Sequence, residues 1–239
     1  MSRAIVLFSG GLDSTACLYW ALEKYDNVIL LSFLYGSKED EAIKICNSTF
    51  SSLFSLKNQI IDLPFLSKFV AKSKSSLSIK GSKPPEFSSF KDLNNEEITA
   101  QTAKQVWVPG RNLLFLSIAA SLSDSFLNPT DIIFGGNKEE AATFPDNTID
   151  FVEKMSDILR FGCMNKVVIK APFIRKTKGD IVTYLAKTNA QVQFSSSCYN
   201  VTDWKEGNIA VHCGVCESCS RRRRAFKNAK IKDVTEYKN

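Results

Sequence analysis

No stretch of about 18 consecutive apolar residues occurs in this chain, so no membrane-spanning helix is expected. An apolar run begins at Ala4, which leaves little room ahead of it for a signal peptide, and a cytoplasmic location is expected. Also missing is the Gly-Lys-Ser/Thr ending with which one class of nucleotide loop grips the β- and γ-phosphates through a lysine. The third spaced glycine of a dinucleotide fingerprint is lacking too. Charge of one sign is not abundant: 31 Lys and Arg against 25 Asp and Glu give +6 over 239 residues. That excess suits a small anionic substrate and is too weak alone to imply a stable nucleic-acid partner. Disulfides are not expected in the cytosol, so the seven cysteines read as thiols or metal ligands.

What is present begins with Ala4-Ile5-Val6-Leu7-Phe8-Ser9-Gly10-Gly11-Leu12-Asp13-Ser14-Thr15. The β-branched run reads as a buried strand, and Ala16, Leu18, Tyr19 and Leu22 then recur at helical spacing. A strand, a glycine pair and a helix start bring backbone N–H groups to one point, where the helix dipole also favours negative charge. Ser9, Ser14 and Thr15 add hydroxyls, and Asp13 is placed to hold a cation that bridges phosphates. Phe8 to Thr15 is therefore a candidate phosphate site.

Further strands are expected at 28–34, 59–63, 131–134 and 167–173, with helices at 39–53, 113–122, 149–159 and 178–187. The alternation predicts an α/β fold, a doubly wound and mostly parallel sheet with helices on both faces. Ligands sit beyond the carboxyl ends of such strands. That rim would carry the Ser9-Gly10-Gly11 turn, Tyr35-Gly36 as an adenine contact or an ordinary turn, and Gly135-Gly136 with the acidic residues Glu139, Glu140 and Asp146. Asp146 or Asn147 could cap the helix at 149, and Thr177 the helix at 178. Arg111 or Asn112, after the Pro109-Gly110 turn, opens another helix where the guanidinium could reach phosphate or carboxylate, although a single arginine at a helix start is more commonly an exposed charge. Residues from about 70 to 105 break the pattern and read as a long, flexible connection. The expected division is a nucleotide-binding domain over 1–190 and a C-terminal region over 191–239.

In that region Cys213, Cys216 and Cys219 follow Cys198, a spacing that suits a closed tetrahedral Zn²⁺ site. A redox pair and an iron–sulfur cluster are the alternatives. His212, the sole histidine, reads as a neighbour of the site and not as a ligand, and Trp204 could pack over it. Arg221 to Arg224 follow on a helix, where such a run is ordinarily a solvated face, though its place beside the cysteines allows one or two arginines to point at a substrate or nucleic acid.

Ser-Gly-Gly-x-Asp-Ser at 9–14 resembles the pyrophosphate loop of the N-type ATP pyrophosphatases. Val108-Pro109-Gly110-Arg111-Asn112, the Phe144-Pro145-Asp146 loop and Ser197-Cys198-Tyr199 with the later cysteines extend the resemblance to 7-cyano-7-deazaguanine synthases, most of all archaeal ones. The resemblance implies an adenine-nucleotide alpha-hydrolase-like fold with a small zinc-binding region. It also implies ATP, Mg²⁺ and Zn²⁺, with 7-carboxy-7-deazaguanine and ammonia as substrates and a homodimer as the assembly. It assigns Asp13, Ser14 and Arg111 to catalysis and Phe8 to Thr15 with Gly36 and Gly136 to ATP. Arg111, Asn112, Glu140, Asp146 and Arg222 fall to the substrate, and Cys198, Cys213, Cys216 and Cys219 to zinc. Ser37-Lys38-Glu39 stands where many bacterial relatives have a glutamine and a histidine, and Glu140, Ala142 and Phe144 replace an aspartate, a serine and a tyrosine. Rival readings are a thiolase-like pyrophosphate-loop enzyme, a zinc-ribbon RNA-binding module, and a family member that modifies a macromolecule.

Overall fold

β-branched and leucine-rich runs alternate with amphipathic segments through most of the chain, and the computed structural model, which describes residues 2–87, 89–90 and 92–238, folds them as one wound sheet. Its strands are β1 (Arg3–Leu7), β2 (Asn27–Leu34), β3 (Lys57–Asp62), β4 (Thr130–Ile133) and β5 (Val168–Lys170). They are ordered β3-β2-β1-β4-β5, and every pairing is parallel. The helices are α1 (Leu12–Lys24), α2 (Asp40–Leu53), α3 (Pro64–Lys72), α4 (Glu96–Val106), α5 (Arg111–Asp124), α6 (Lys138–Ala141), α7 (Ile149–Gly162), α8 (Lys178–Lys187) and α9 (Glu217–Ala229).

The central strands are buried on both faces, so they read as continuous apolar runs. Ile5, Leu31 and Ile132 join one core layer with side chains of α5 and α7. Val6, Leu30 and Ile133 join the other with α1, α2, α8 and α9. No helix among the described residues is long and apolar enough to cross a membrane.

Two boundaries differ from expectation for local reasons. β5 stops at Lys170 because Ala171-Pro172-Phe173-Ile174 closes a turn, with Ile174 N donating to Ala171 O at 3.2 Å. The cap of α7 is Thr148, whose Oγ1 accepts from Phe151 N at 3.2 Å, while Asp146 and Asn147 lie in a preceding 3-10 turn. Thr177 caps α8 as expected, in a reciprocal capping box with Asp180.

The stretch expected as a flexible excursion carries the end of α3 and all of α4, which Asn95 caps by accepting from Glu97 N and Ile98 N. Its middle is tied down at both ends. Lys38 Nζ donates to the carbonyls of Ser76, Gly81 and Ser82 at 2.9, 3.2 and 2.6 Å. Further on, Phe87 N donates to Val215 O at 3.1 Å, and Glu217 N to Pro85 O at 2.9 Å. Ser88 and Lys91 of this stretch, with Met1 and Asn239 at the ends, lie outside the described residues.

The C-terminal region adds a small sheet of β6 (Asp203–Lys205), β7 (Ile209–His212) and β8 (Glu236–Tyr237). From there α9 returns to the main body, where Ala225 and Phe226 pack with Ile181 and Leu185 of α8.

Candidate active site

From β1 the chain winds outward through β2 and β3, and on the other side through β4 and β5, so the crevice between β1 and β4 is the switch point of the sheet. Loops leaving neighbouring strands diverge there and open a cleft. A cavity of about 240 Å³ occupies it.

Two glycines make the close approach possible. Gly10 has φ +80°, and a Cβ on it would lie 2.5 Å from that of Cys46. After β4, a Cβ on Gly135 would come within 3.3 Å of Ser14 N, so the second loop lies directly against the first. Gly11 precedes α1 without any side-chain cap, which leaves the first-turn N–H groups for an external acceptor. Ser9 Oγ and Ser14 Oγ stand 3.2 Å apart beside them.

The charged centre of the cavity is Lys178, at the first position of α8. Its ammonium lies 2.7 Å from Asp13 Oδ2 and 2.8 Å from Glu140 Oε1, and the residue is only 9% exposed. Burial works against the lysine charge, but the two carboxylates outweigh it and hold its pKa well above the usual lysine range. Burial pushes Asp13 upward despite Lys178, whereas for Glu140 the ammonium overcomes burial and lowers the pKa. Two carboxylates against one ammonium leave a net negative site, and Asp13 Oδ1 is buried without a partner. That is the donor set a hard cation needs. Glu139, next to it, receives Lys178 N at 2.9 Å and Arg224 Nη2 at 2.7 Å.

Across the cavity Arg111 lies among Tyr35, Glu39 and Asp146. Burial pushes the Glu39 carboxyl up to about 7, with Arg111 opposing. A raised carboxyl pKa weakens the folded state as pH climbs past the unfolded value of 4.5 toward 7. Glu39→Gln is therefore expected to raise thermal stability at pH 8, by on the order of 2 kcal/mol, and to leave it unchanged at pH 4. Thermal unfolding of both proteins at the two pH values checks this; an equal shift at both would contradict it.

Of the residues expected at the phosphates, Phe8, Ser9, Gly11, Leu12, Asp13 and Ser14 line the cavity. Arg111, Asn112, Glu140 and Asp146 line it from the other loops. Gly10, Thr15, Gly36 and Gly136 are not on its wall: Gly36 turns against Ser67, and Gly136 against Ile174 and Phe134. Nor is Arg222. That side chain is 1% exposed, and its guanidinium binds Thr235 Oγ1, Ser197 Oγ, Ser195 Oγ and Val192 O at 2.7 to 3.2 Å. Arg221 faces the cavity instead, one helical step away. The expected solvated face does not exist, because Arg223 donates to Gly214 O and lies over Tyr237, and Arg224 pairs with Glu139.

Several wall residues escape the sequence reading. Trp107 and Phe144 stack with centroids 6.0 Å apart and planes 10° from parallel. Lys178, Glu39, Tyr199, Glu217 and Arg221 add to the polar surface. Lys178 had a readable signal: an ammonium in the first turn of a helix opposes the dipole and so implies an anionic partner.

Below the cavity the Sγ atoms of Cys198, Cys213, Cys216 and Cys219 all lie within 4.8 Å of one another, a group that could hold a metal ion. Thiolates around one tetrahedral ion at about 2.3 Å would be roughly 3.8 Å apart. Here Cys213 and Cys219 are 3.9 Å apart and Cys216 and Cys219 3.4 Å, with no disulfide among them. Backbone N–H groups of Asn200 and Cys213 point at the Cys198 sulfur, and that of Cys216 at Cys213, an arrangement that favours thiolates. Tyr199, Val201 and Tyr237 pack on this cluster, while Trp204 lies on β6. His212 is outside the group.

Over residues 3–230 the chain matches the profile of a family described as queuosine biosynthesis protein QueC. It is 44% identical over 235 residues to a 7-cyano-7-deazaguanine synthase of Pyrococcus furiosus, covering 98% of this chain and 96% of that one. A synthase of the same description from Pyrococcus horikoshii is 45% identical over 237 residues, covering 99% and 98%. For one from Methanococcus aeolicus the identity is 36% over 242 residues, covering 98% and 99%.

Proposed function

The chain belongs to the family of queuosine biosynthesis protein QueC, and from that membership we infer that it is a 7-cyano-7-deazaguanine synthase. It converts 7-carboxy-7-deazaguanine and ammonia to the nitrile at the expense of two ATP. A carboxylate is a poor electrophile, so its oxygen attacks the α-phosphorus of ATP and pyrophosphate leaves. Ammonia then displaces AMP to give the amide, with loss of a proton. The amide oxygen attacks the α-phosphorus of a second ATP and pyrophosphate leaves again; loss of AMP and of both N–H protons then leaves the C≡N bond.

The observation that carries this reading is the cavity at the switch point, where an uncapped helix start and the Asp13–Lys178–Glu140 centre converge. No side-chain nucleophile is needed; positioning and charge neutralisation suffice. Backbone N–H groups between Gly11 and Ser14 and the Ser9 and Ser14 hydroxyls hold the departing pyrophosphate, and Lys178 neutralises it. Asp13, through its open Oδ1, and Glu140 are the residues that would hold Mg²⁺, which screens the phosphate charge when bound. Arg111 faces the substrate carboxylate. The four cysteines would hold Zn²⁺, whose role there is structural. Engagement of all four arginines of α9 within the chain argues against an RNA-binding stripe.

The test is direct. Protein incubated with ATP, Mg²⁺, ammonia and 7-carboxy-7-deazaguanine is expected to yield nitrile and two equivalents of AMP by mass spectrometry. Pyrophosphate and AMP without nitrile would point to another adenylating enzyme; neither product would overturn the reading.

A further inference from the structure

The cavity wall holds several carboxylates, and their engagement differs. Glu140 and one oxygen of Asp13 are bound to Lys178, and Asp13 belongs to the phosphate end. Glu39 and Asp146 stand beside Arg111, and Asp146 also accepts from Asn147 Nδ2. Glu217 is different. It is 2% exposed, and its Oε1 accepts two charge-assisted hydrogen bonds from Arg221, from Nε at 2.8 Å and from Nη2 at 2.6 Å. Its Oε2 is buried on the wall with no partner at all.

A buried carboxylate oxygen without a donor is costly unless a ligand supplies one. Everything around Glu217 fixes it in place. It is the first residue of α9, between Cys216 and Cys219, and its N–H is bound to Pro85 O. Arg221 holds the carboxylate in place and sets its plane through these two hydrogen bonds. The half-buried Tyr199 lies beside the pair, and Ser196 Oγ is a second unpartnered polar atom on the same wall.

An acceptor with two open lone pairs calls for a ligand edge with adjacent N–H donors and no acceptor between them. A 2-amino-lactam has this edge: its ring N–H and exocyclic amino N–H lie side by side, like two donors of a guanidinium. We propose that Glu217 recognises the 2-amino-lactam edge of the substrate ring, Oε2 accepting the ring and amino N–H groups while Arg221 positions the carboxylate from behind. The proposal rests on the function inferred above and names the residue that selects a guanine-like ring over a hypoxanthine-like one. It also gives the metal loop a second task, because the selecting side chain is carried between two of its cysteines.

The experiment compares 7-carboxy-7-deazaguanine with the same acid lacking the 2-amino group, in wild-type protein and in Glu217→Gln. Wild-type kcat/KM is expected to fall about 10- to 100-fold on loss of the amino group, since a bond to a charged acceptor is lost. Glu217→Gln should raise KM for the natural acid by a similar factor with kcat little changed, because the contact is remote from the reacting carboxylate. Its preference between the two acids should fall to about 3-fold or less. Metal content measured on the same sample separates this outcome from damage to the cysteine loop. Equal wild-type rates with both acids would overturn the assignment alone, even if the variant failed to fold, as would an unchanged preference in Glu217→Gln. No AMP from either acid would overturn the proposed function and the assignment with it.

Discussion

Lys178→Met is expected to lower kcat/KM for AMP formation by about 1,000-fold and to destabilise the fold by about 3–5 kcal/mol. The methionine keeps the stem of the side chain without its ammonium and leaves Asp13 and Glu140 facing each other in a buried site with no cation. Removing one partner of a buried ion pair costs more than the pair ever contributed, because the remaining charge stays desolvated. Here two carboxylates remain, so the penalty should be largest near neutral pH and shrink as acid protonates them. Adding Asp13→Asn to Lys178→Met should recover much of the melting temperature by relieving the repulsion. Activity should not return, since the neutral amide that replaces the Asp13 carboxylate offers no charge to the phosphate site. Thermal unfolding and AMP release, measured on both variants, read the two effects separately. A wild-type melting temperature and wild-type turnover in Lys178→Met would remove this centre from the mechanism.

Cys216→Ser should lose bound zinc, measured by elemental analysis, and much of the soluble protein. A structural zinc contributes on the order of 10 kcal/mol or more to small domains, so three remaining thiolates would hold it far less firmly. The loss should extend to activity, because Glu217 follows Cys216 directly and Arg222 on the same helix fixes the Ser195 to Ser197 segment. That segment in turn reaches the phosphate turn through Ser196 N and Gly10 O at 2.8 Å. Full zinc retention with unchanged yield would contradict the structural assignment, and iron in place of zinc would revise the metal.

The elements that were legible are those whose causes are local. The β1 to α1 turn follows from an apolar run, a glycine pair and helical spacing within a dozen residues. The start of α8 follows from Thr177 as its cap, and the cysteine cluster from its spacing. Other features depended on contacts made far along the chain. Which glycine of Gly135-Gly136 meets the phosphate turn depends on the path of the second loop, and only Gly135 does. Which arginine of the run enters the cavity depends on the face of α9 that α8 covers; a rotation of one residue exchanges Arg222 for Arg221. Lys178 was visible only as a cation at the wrong end of a helix, and its partners are remote in sequence.

That remoteness has a consequence for synthesis. Asp13 and Lys178 are 165 positions apart, and Gly10 waits for Ser196, whose neighbours Ser195 and Ser197 are held by Arg222. A ribosome exposes the first strand and its glycine turn long before any residue that completes them, so the N-terminal half emerges with an unfinished active site. Loop closure over such separations is slow compared with helix formation. Catalytic competence should therefore arrive in one late step, after α9 has left the ribosomal tunnel, and chains stalled before Arg222 should bind neither metal nor substrate.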